Sequence, residues 1–260
     1  MSDYVPIGQA ATMPGLRLVA TPGIPNPWTE SAKGILHVKG LEYVRVAQHV
    51  GEANPDLVAW TGLNSAPILI YEENPPRAGW AEILLLAERL APEPRLIPTN
   101  EQDRSAMFGL AHELCSEDGF GWNRRLLFFA DAKAAMAKLG SSVDRSGFDR
   151  MNCKYGYGGD AAHARARMAA VLGLLVDRLK AQQAMGSRYY IGEQLTAIDI
   201  YAACFMAMVR PLPLDVCPIS PDLHASYSAT DPAIIDAADP VLFEHRDFVY
   251  QTYLELPVRL

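Results

Sequence analysis

Few residues of this chain combine a reactive type with a spacing that would let them act together. The four cysteines, Cys115, Cys153, Cys204 and Cys217, form no Cys-x-x-Cys pair and fit no zinc-ligand spacing. Neither a redox dithiol nor a metal site is expected, and the pattern suits a reducing compartment such as the cytoplasm. The six histidines are scattered, and His112 reads as a helix histidine and not as a base. The glycine-rich run from Asn152 to Gly159 lacks the Gly-Lys-Ser/Thr element of a phosphate loop. What remains is polar chemistry at turns and helix starts. Asn26, between Pro25 and Pro27, is by itself ordinary turn chemistry. Thr196 and Asp199 have the spacing of a capping box, in which each side chain can accept from a backbone N–H that the first helical turn leaves unpaired.

The elements that would position these residues follow from pattern. Half of the 260 residues are apolar, enough to bury a large core. The net charge of −7, with Lys and Arg dispersed, argues against nucleic acid or an anionic membrane as partner. The first six residues carry neither a basic leader nor an apolar run, so no export is expected. After a lead-in over 1–15 without a period, Leu16 to Ala20 reads as a strand and Thr29 to Val38 as a helix ending at Lys39-Gly40. Leu41 to Ala47 alternates like a strand with one exposed face, and Asn54 to Trp60 reads as a short helix. Pro67 heads an apolar strand through Tyr71, and Trp80 to Ala91 repeats at helical spacing. Strand and helix alternating three times is the order of a small α/β layer. Beyond 97–100 the period is helical over 101–117, 123–139 and 161–183, with a polar loop over 140–159 and a last helix over 240–254. The segment opened by Thr196 is uncharged from Ile200 to Val209, so every face calls for burial, and it is too short to span a bilayer.

Tyr189-x-x-Gly192 followed by Leu195-Thr196-x-x-Asp199-Ile200 resembles the capping motif of the second domain of glutathione transferases. Asn26-Pro27-Trp28 with Lys33, then Lys39-Gly40-Leu41-Glu42-Tyr43, is similar to that family's Ser-Pro-aromatic or Cys-Pro-aromatic loop and helix exit. Ala66-Pro67-Ile68-Leu69 resembles the segment around its cis-proline, and Ile83 with Glu88-Arg89-Leu90-Ala91-Pro92 its third helix. The resemblance implies an α/β thioredoxin-like domain over 1–94 followed by an all-α helical-bundle domain over 100–260, in a homodimer. It implies glutathione as co-substrate and Asn26 as the group donating to its thiolate; an amide can donate so, but cannot form a mixed disulfide. Thr21 and Ser31 are the fallback hydroxyl donors.

By the same resemblance Trp28, Lys33, Ala66, Pro67, Gly79 and Trp80 would border the tripeptide. Cys115, Phe120, Trp122, Tyr155 and Tyr157 would wall a pocket for a small hydrophobic electrophile. One departure stands out: Gly79-Trp80 occupies the place of the family's Glu-Ser or Asp-Ser pair, leaving Glu72, Glu73 and Arg77 as replacement charges and an indole where a small hydroxyl would sit. Two further readings therefore stay open. One is a non-catalytic protein of the same fold that has lost the tripeptide site; the other is a glutathione-dependent disulfide reductase or lyase.

Overall fold

The computed structural model describes residues 4–138, 146–156 and 159–260. Four strands, β1 (Tyr4–Val5), β2 (Leu16–Ala20), β3 (Tyr43–Ala47) and β4 (Ile68–Tyr71), form one sheet in the order β1-β3-β2-β4. β3 runs parallel to both β1 and β2, while β4 is antiparallel to β2, so that Leu18 lies between Arg45 and Leu69. Helices α1 (Ile7–Ala10), α2 (Pro27–Val38), α3 (Pro55–Thr61) and α4 (Trp80–Leu90) complete a thioredoxin-like α/β domain. The lead-in is thus not structureless. Its two-residue strand and one-turn helix are too short to leave a period in the sequence.

β3 also differs from its expected half-exposed form. It lies between two strands, and its Arg45 is buried, with the guanidinium 4.9 Å from the centre of the Tyr4 ring. Arg45 Nη1 donates to the Arg259 carbonyl at 3.3 Å, so the end of the chain covers the face that the alternation left open.

The remaining helices are α5 (Glu101–Cys115), α6 (Phe120–Lys138), α7 (Ser146–Tyr155), α8 (Ala161–Ala184), α9 (Ala197–Met206), α10 (Pro221–Tyr227), α11 (Pro232–Ala237) and α12 (Pro240–Tyr253). α9 is buried at every residue and touches α2, α5 and α12, which makes it the centre of the all-α domain. α6 begins earlier than its period suggests, because Asn123 Nδ2 donates back to the carbonyls of Asp118 (3.0 Å) and Gly119 (2.9 Å). Residues 146–155, read as loop from the sequence, form α7. None of its residues is buried, and its apolar stripe is only Phe148, Met151 and Tyr155 in an otherwise polar, glycine-flanked segment, which is why it reads as loop. Among the described residues no helix is long and apolar enough to cross a membrane.

The start of α9 is held by one buried carboxylate. Asp199 Oδ2 accepts from the Thr196 N–H (2.8 Å) and hydroxyl (2.9 Å), and Oδ1 accepts from the Tyr190 N–H (2.9 Å) and lies 3.0 Å from His245 Nε2. The Thr196 hydroxyl therefore turns inward to the carboxylate, so the motif works through its acid and fastens α9 to α12. The tail beyond α12 covers the seam behind α2: Lys33 Nζ donates to the Arg259 carbonyl at 2.5 Å and the Val258 N–H to Val216 at 2.7 Å.

Removing a buried charge from a fully bonded site strands its partners, which typically costs about 3–5 kcal/mol. Asp199→Ala is expected to lose stability on that scale in urea denaturation, with Asp199→Asn in between. A loss below about 1 kcal/mol would contradict the role given to this carboxylate.

Candidate functional site

The first turn of α2 sets the site. Pro27 occupies the first helical position, where a missing N–H is harmless. Asn26 precedes it as the N-cap, its Oδ1 accepting from the Trp28 N–H at 3.2 Å. That bond fixes the amide plane, and Nδ2 then donates to the Ala66 carbonyl at 3.2 Å, just ahead of the cis Ala66–Pro67 peptide. Asn26 is only 5% exposed. It nevertheless borders a cleft of about 280 Å³, together with Ala66, Gln48, Glu52 and Asn64 from the first domain.

A web of amides shapes that wall. Thr21 Oγ1 donates to Gln48 Oε1 (3.0 Å), Asn54 Nδ2 donates to Asn64 Oδ1 (2.9 Å), and Asn64 Nδ2 donates to the Glu52 carbonyl (2.9 Å). Gly51 has φ +77°, and a Cβ there would stand 3.2 Å from the Gly147 Cα, so α7 can come down onto this loop. Arg150 Nε then donates to the Gly51 carbonyl at 2.8 Å, and Lys154 Nζ donates to that of Asn64.

The opposite wall is Arg125 from α6 with Arg150, Met151, Lys154 and Tyr155 from α7. Among the described residues three cations thus face a cleft whose one carboxylate is Glu52, in a chain whose net charge is −7. Val50, Arg125 and Met151 also border a second, apolar pocket of about 190 Å³ lined by Ile24, Phe128, Phe129, Met208 and Leu223. Larger depressions, about 320 and 520 Å³, lie at the other end of α2, beside His37. That end presents carbonyls, and its dipole disfavours an anion.

The structure brings Asn26, Ala66 and Tyr155 together at the cleft, with Thr21 beside them. Other expected residues stand elsewhere. Trp28 is a packing anchor: its Nε1 donates to the Cys115 carbonyl at 2.8 Å, and its ring meets Phe205 edge-on at 4.9 Å. Lys33 is buried in an ion pair with Glu30 at 2.8 Å and faces the tail, not the cleft. Burial pushes the Glu30 carboxyl up, and the Lys33 ammonium opposes the shift. Ser31 is fully buried, its hydroxyl donating to the Pro27 carbonyl at 2.6 Å.

Gly79 caps α4 by donating its N–H to Glu82 Oε2 at 3.1 Å. The Trp80 indole does not enter the cleft. Its Nε1 donates to Ser116 Oγ at 3.0 Å and its ring packs against Tyr201 and Phe108, so the large side chain is spent on the contact between the domains. Glu72, Glu73 and Arg77 do not line the cleft either, and Glu72 Oε1 is taken by the Gly15 N–H at 3.0 Å.

Of the expected pocket residues, Cys115 and Phe120 lie in the core, and Trp122 packs edge-on behind Tyr155 with ring centres 6.4 Å apart. Tyr157 lies outside the described residues. Arg125, Arg150, Lys154, Gln48 and Glu52 were not singled out from the sequence. Arg150 and Lys154 carry a signal only once 146–155 is known to be helical, since four residues then separate two cations on one face.

No protein-family model and no curated protein matches the sequence. Solved structures do match the fold. A glutathione transferase family member from Pseudomonas fluorescens pf-5, solved with two glutathione bound, superposes with a TM-score of 0.64 at 15% identity, over 96% of this chain and 98% of that one. A Tau class glutathione S-transferase from mango, Mangifera indica, gives 0.53 at 18% identity, over 93% and 99%. The chain has the glutathione transferase fold. A beta-etherase from Sphingobium sp. strain SYK-6 is similar as well, with a TM-score of 0.55 at 15% identity over 90% and 99%. Within the glutathione transferase fold of this chain, the cleft lies where the α2 N-terminus, the cis-proline loop and the helical domain meet.

Three of the four thiols are unsuited to chemistry at this site. Burial pushes Cys115 well above its ordinary value, Cys204 to about 12 and Cys217 to about 11. Cys153 alone is exposed. Iodoacetamide at mildly alkaline pH is expected to modify one thiol in the native chain, at Cys153, and four in denaturant; rapid labelling of Cys115 would contradict the packing at Trp28. Trp80→Ser is expected to lower stability by about 2 kcal/mol in urea denaturation, because the indole leaves a hole between the domains. An unchanged midpoint would contradict the placement of the ring.

Proposed function

We propose that the chain is a glutathione-dependent transferase in which Asn26 stabilises the thiolate of bound glutathione. The observation that carries this reading is the donor set of the cleft: Asn26 at a helix N-terminus, three cations and one carboxylate around a polar space, and an apolar pocket next to it. Glutathione has two carboxylates and one ammonium, which two of those cations and the carboxylate complement, and a thiol, which the amide complements. Arg150 and Lys154 keep N–H donors beyond those given to Gly51 and Asn64 and would hold its carboxylates. Glu52 would face the ammonium, taking the part that the Gly79-Trp80 departure vacates. Bound there, glutathione would supply a thiolate that forms a C–S bond to an apolar electrophile, either opening an activated double bond whose carbanion then takes up a proton, or displacing a leaving group that departs with its electron pair.

The chain's own part is electrostatic. Asn26 Nδ2 has two hydrogens, one directed to the Ala66 carbonyl, and the second is the donor for the sulfur. The α2 N-terminus adds positive potential at the same point, so the anion is favoured over the thiol. The pocket at Phe128 and Phe129 would seat the electrophile and keep water from it. Residues 1–94 would serve the tripeptide and 100–260 the electrophile, with α7 reaching back to the tripeptide side. A homodimer, as the resemblance implies, belongs to the same reading.

A second reading, a non-catalytic protein of this fold, is favoured by one observation: both polar groups of the Asn26 side chain already have partners, Trp28 and Ala66. Substitutions at Asn26 separate the two. Asn26→Ser keeps a capping oxygen and a donor, whereas Asn26→Asp keeps the cap but offers a negative charge and no donor. With the transferase reading, the pKa of the bound glutathione thiol, followed by thiolate absorbance, is expected to stay low in the wild type and Asn26→Ser. It should rise by about one unit or more in Asn26→Asp, roughly 1.4 kcal/mol. Equal values in all three, or no binding at millimolar glutathione, weaker than about −4 kcal/mol, would favour the non-catalytic protein.

A further inference from the structure

We infer that the depression at the opposite end of α2 from the cleft is a second binding site, and that it takes an aliphatic diamine or polyamine, with ammonium groups at the ends of α2 and α12 and the methylene chain between them. The inference does not rest on the transferase reading. The depression, of about 520 Å³, is bordered by His37 and Val38 from the last turn of α2, Thr252 and Tyr253 from the last turn of α12, and Glu193 from the segment ahead of α9.

The last four carbonyls of a helix have no partner within it, and together they carry a partial negative charge. Beyond α2 the N–H groups of Lys39, Gly40 and Leu41 take the carbonyls of Ile35, His37 and Leu36, and no described residue donates to that of Val38. Beyond α12 the Leu254 N–H reaches the Tyr250 carbonyl at 3.3 Å, and no described residue donates to those of Thr252 and Tyr253. A neighbouring helix end shows what the fold does when it supplies its own cation. Just past α4, Lys39 Nζ donates to the Ala91 carbonyl at 2.8 Å and pairs with Glu88. By contrast α12 has no basic residue in its last turn and α2 has His37 alone, since Lys39 is spent on α4.

The charges at the rim leave the balance negative. Arg95 faces Glu93 at 3.5 Å, while Arg188 lies 3.6 Å from the centre of the Phe248 ring and does not line the depression. Glu193 has no side-chain partner among the described residues. Between the two helix ends the wall is apolar, made by Val38, Pro94, Leu96 and Leu195 beside the Tyr189 and Tyr253 rings, whose hydroxyls are bonded to each other at 2.5 Å. Among the described residues no three of His, Cys, Asp or Glu gather to hold a metal ion, so the complementary cation is organic. An anion would meet two helix C-termini and a carboxylate. An uncharged apolar molecule would strip water from carbonyls and return no donor. An ammonium returns charge-assisted N–H bonds at each helix end, and its methylene chain covers the apolar wall.

The test is calorimetric titration of the full chain with 1,4-diaminobutane, with 1,4-butanediol and butylamine as its uncharged and singly charged counterparts. The diamine is expected to bind at one site, about tenfold more tightly than the diol and about threefold more tightly than the monoamine, with both gaps narrowing in added salt. Thr252→Lys puts a built-in ammonium at the end of α12 and should weaken diamine binding about tenfold. Glu193→Gln should weaken it about threefold, and Glu244→Gln, which removes the same charge further up α12, less than about 1.5-fold. All three positions are exposed, so the variants keep the fold. Binding of the diamine no tighter than that of either counterpart overturns the inference. So does equal weakening by Glu193→Gln and Glu244→Gln, the mark of a diffuse attraction of cations to an acidic chain, or an affinity that Thr252→Lys leaves unchanged.

Discussion

Everything in this structure is arranged around the burial of α2 between the sheet and the helical domain. Nine of its twelve residues are buried, on both sides. A Cβ on Gly34 would come within 3.0 Å of Leu254 and Ile200 side-chain atoms, so a larger residue there would have to displace those side chains where α9 and the end of α12 close against the helix. Gly121 does the same at the other end, where a Cβ would fall 2.3 Å from the Phe205 ring and 2.9 Å from Trp28. These close approaches pack the body of α2 against the helical domain. They also enclose the Glu30–Lys33 pair, which is tolerable because each charge has the other and Lys33 has the Arg259 carbonyl besides. The helix is thus positioned by its body, and its first turn is left to face the cleft.

The cleft reverses the sign of the molecule around it. An acidic chain gathers Arg125, Arg150 and Lys154 at one opening and sends its carboxylates elsewhere, Glu72 to Gly15, Asp199 to the start of α9, Glu82 to Gly79. Two of the three cations ride on α7, a helix with no buried residue of its own. α7 is seated by backbone contact between Gly51 and Gly147, by the bonds from its cations to first-domain carbonyls, and by the Phe148 ring 5.0 Å from that of Phe129. The same side chains therefore hold the two domains together at the cleft and give it its charge.

The departure at Gly79-Trp80 looks in the sequence like the loss of a binding group and the intrusion of a bulky one. In three dimensions the indole is bonded to Ser116, and the Trp80 carbonyl accepts from the Tyr201 hydroxyl at 3.1 Å. The indole serves the seam between the domains and stays out of the cleft. Whether a large side chain obstructs a site depends on its rotamer and neighbours, neither of which its position in the chain reveals.

Periodicity, turns and caps were enough to order the strands and long helices, because those signals are local: Pro27 after Asn26, Lys39-Gly40 at a helix exit, Thr196 and Asp199 at a helix start. Asn26 and Ala66 were marked by the resemblance to glutathione transferases and not by these local signals, and the two do meet at the cleft. Tertiary contact decided the rest. It made a helix of 146–155 on a stripe of only three apolar residues, buried Arg45 beneath the end of the chain, and turned Trp28 and Lys33 into packing residues. It also drew Arg125, Arg150 and Lys154 toward Glu52 and Asn26 across a hundred residues of sequence. The physical reason is common to all of these. A hydrogen-bonded turn is determined by the few residues that make it, whereas the surroundings of a long charged or aromatic side chain are set by whichever distant elements the core brings beside it.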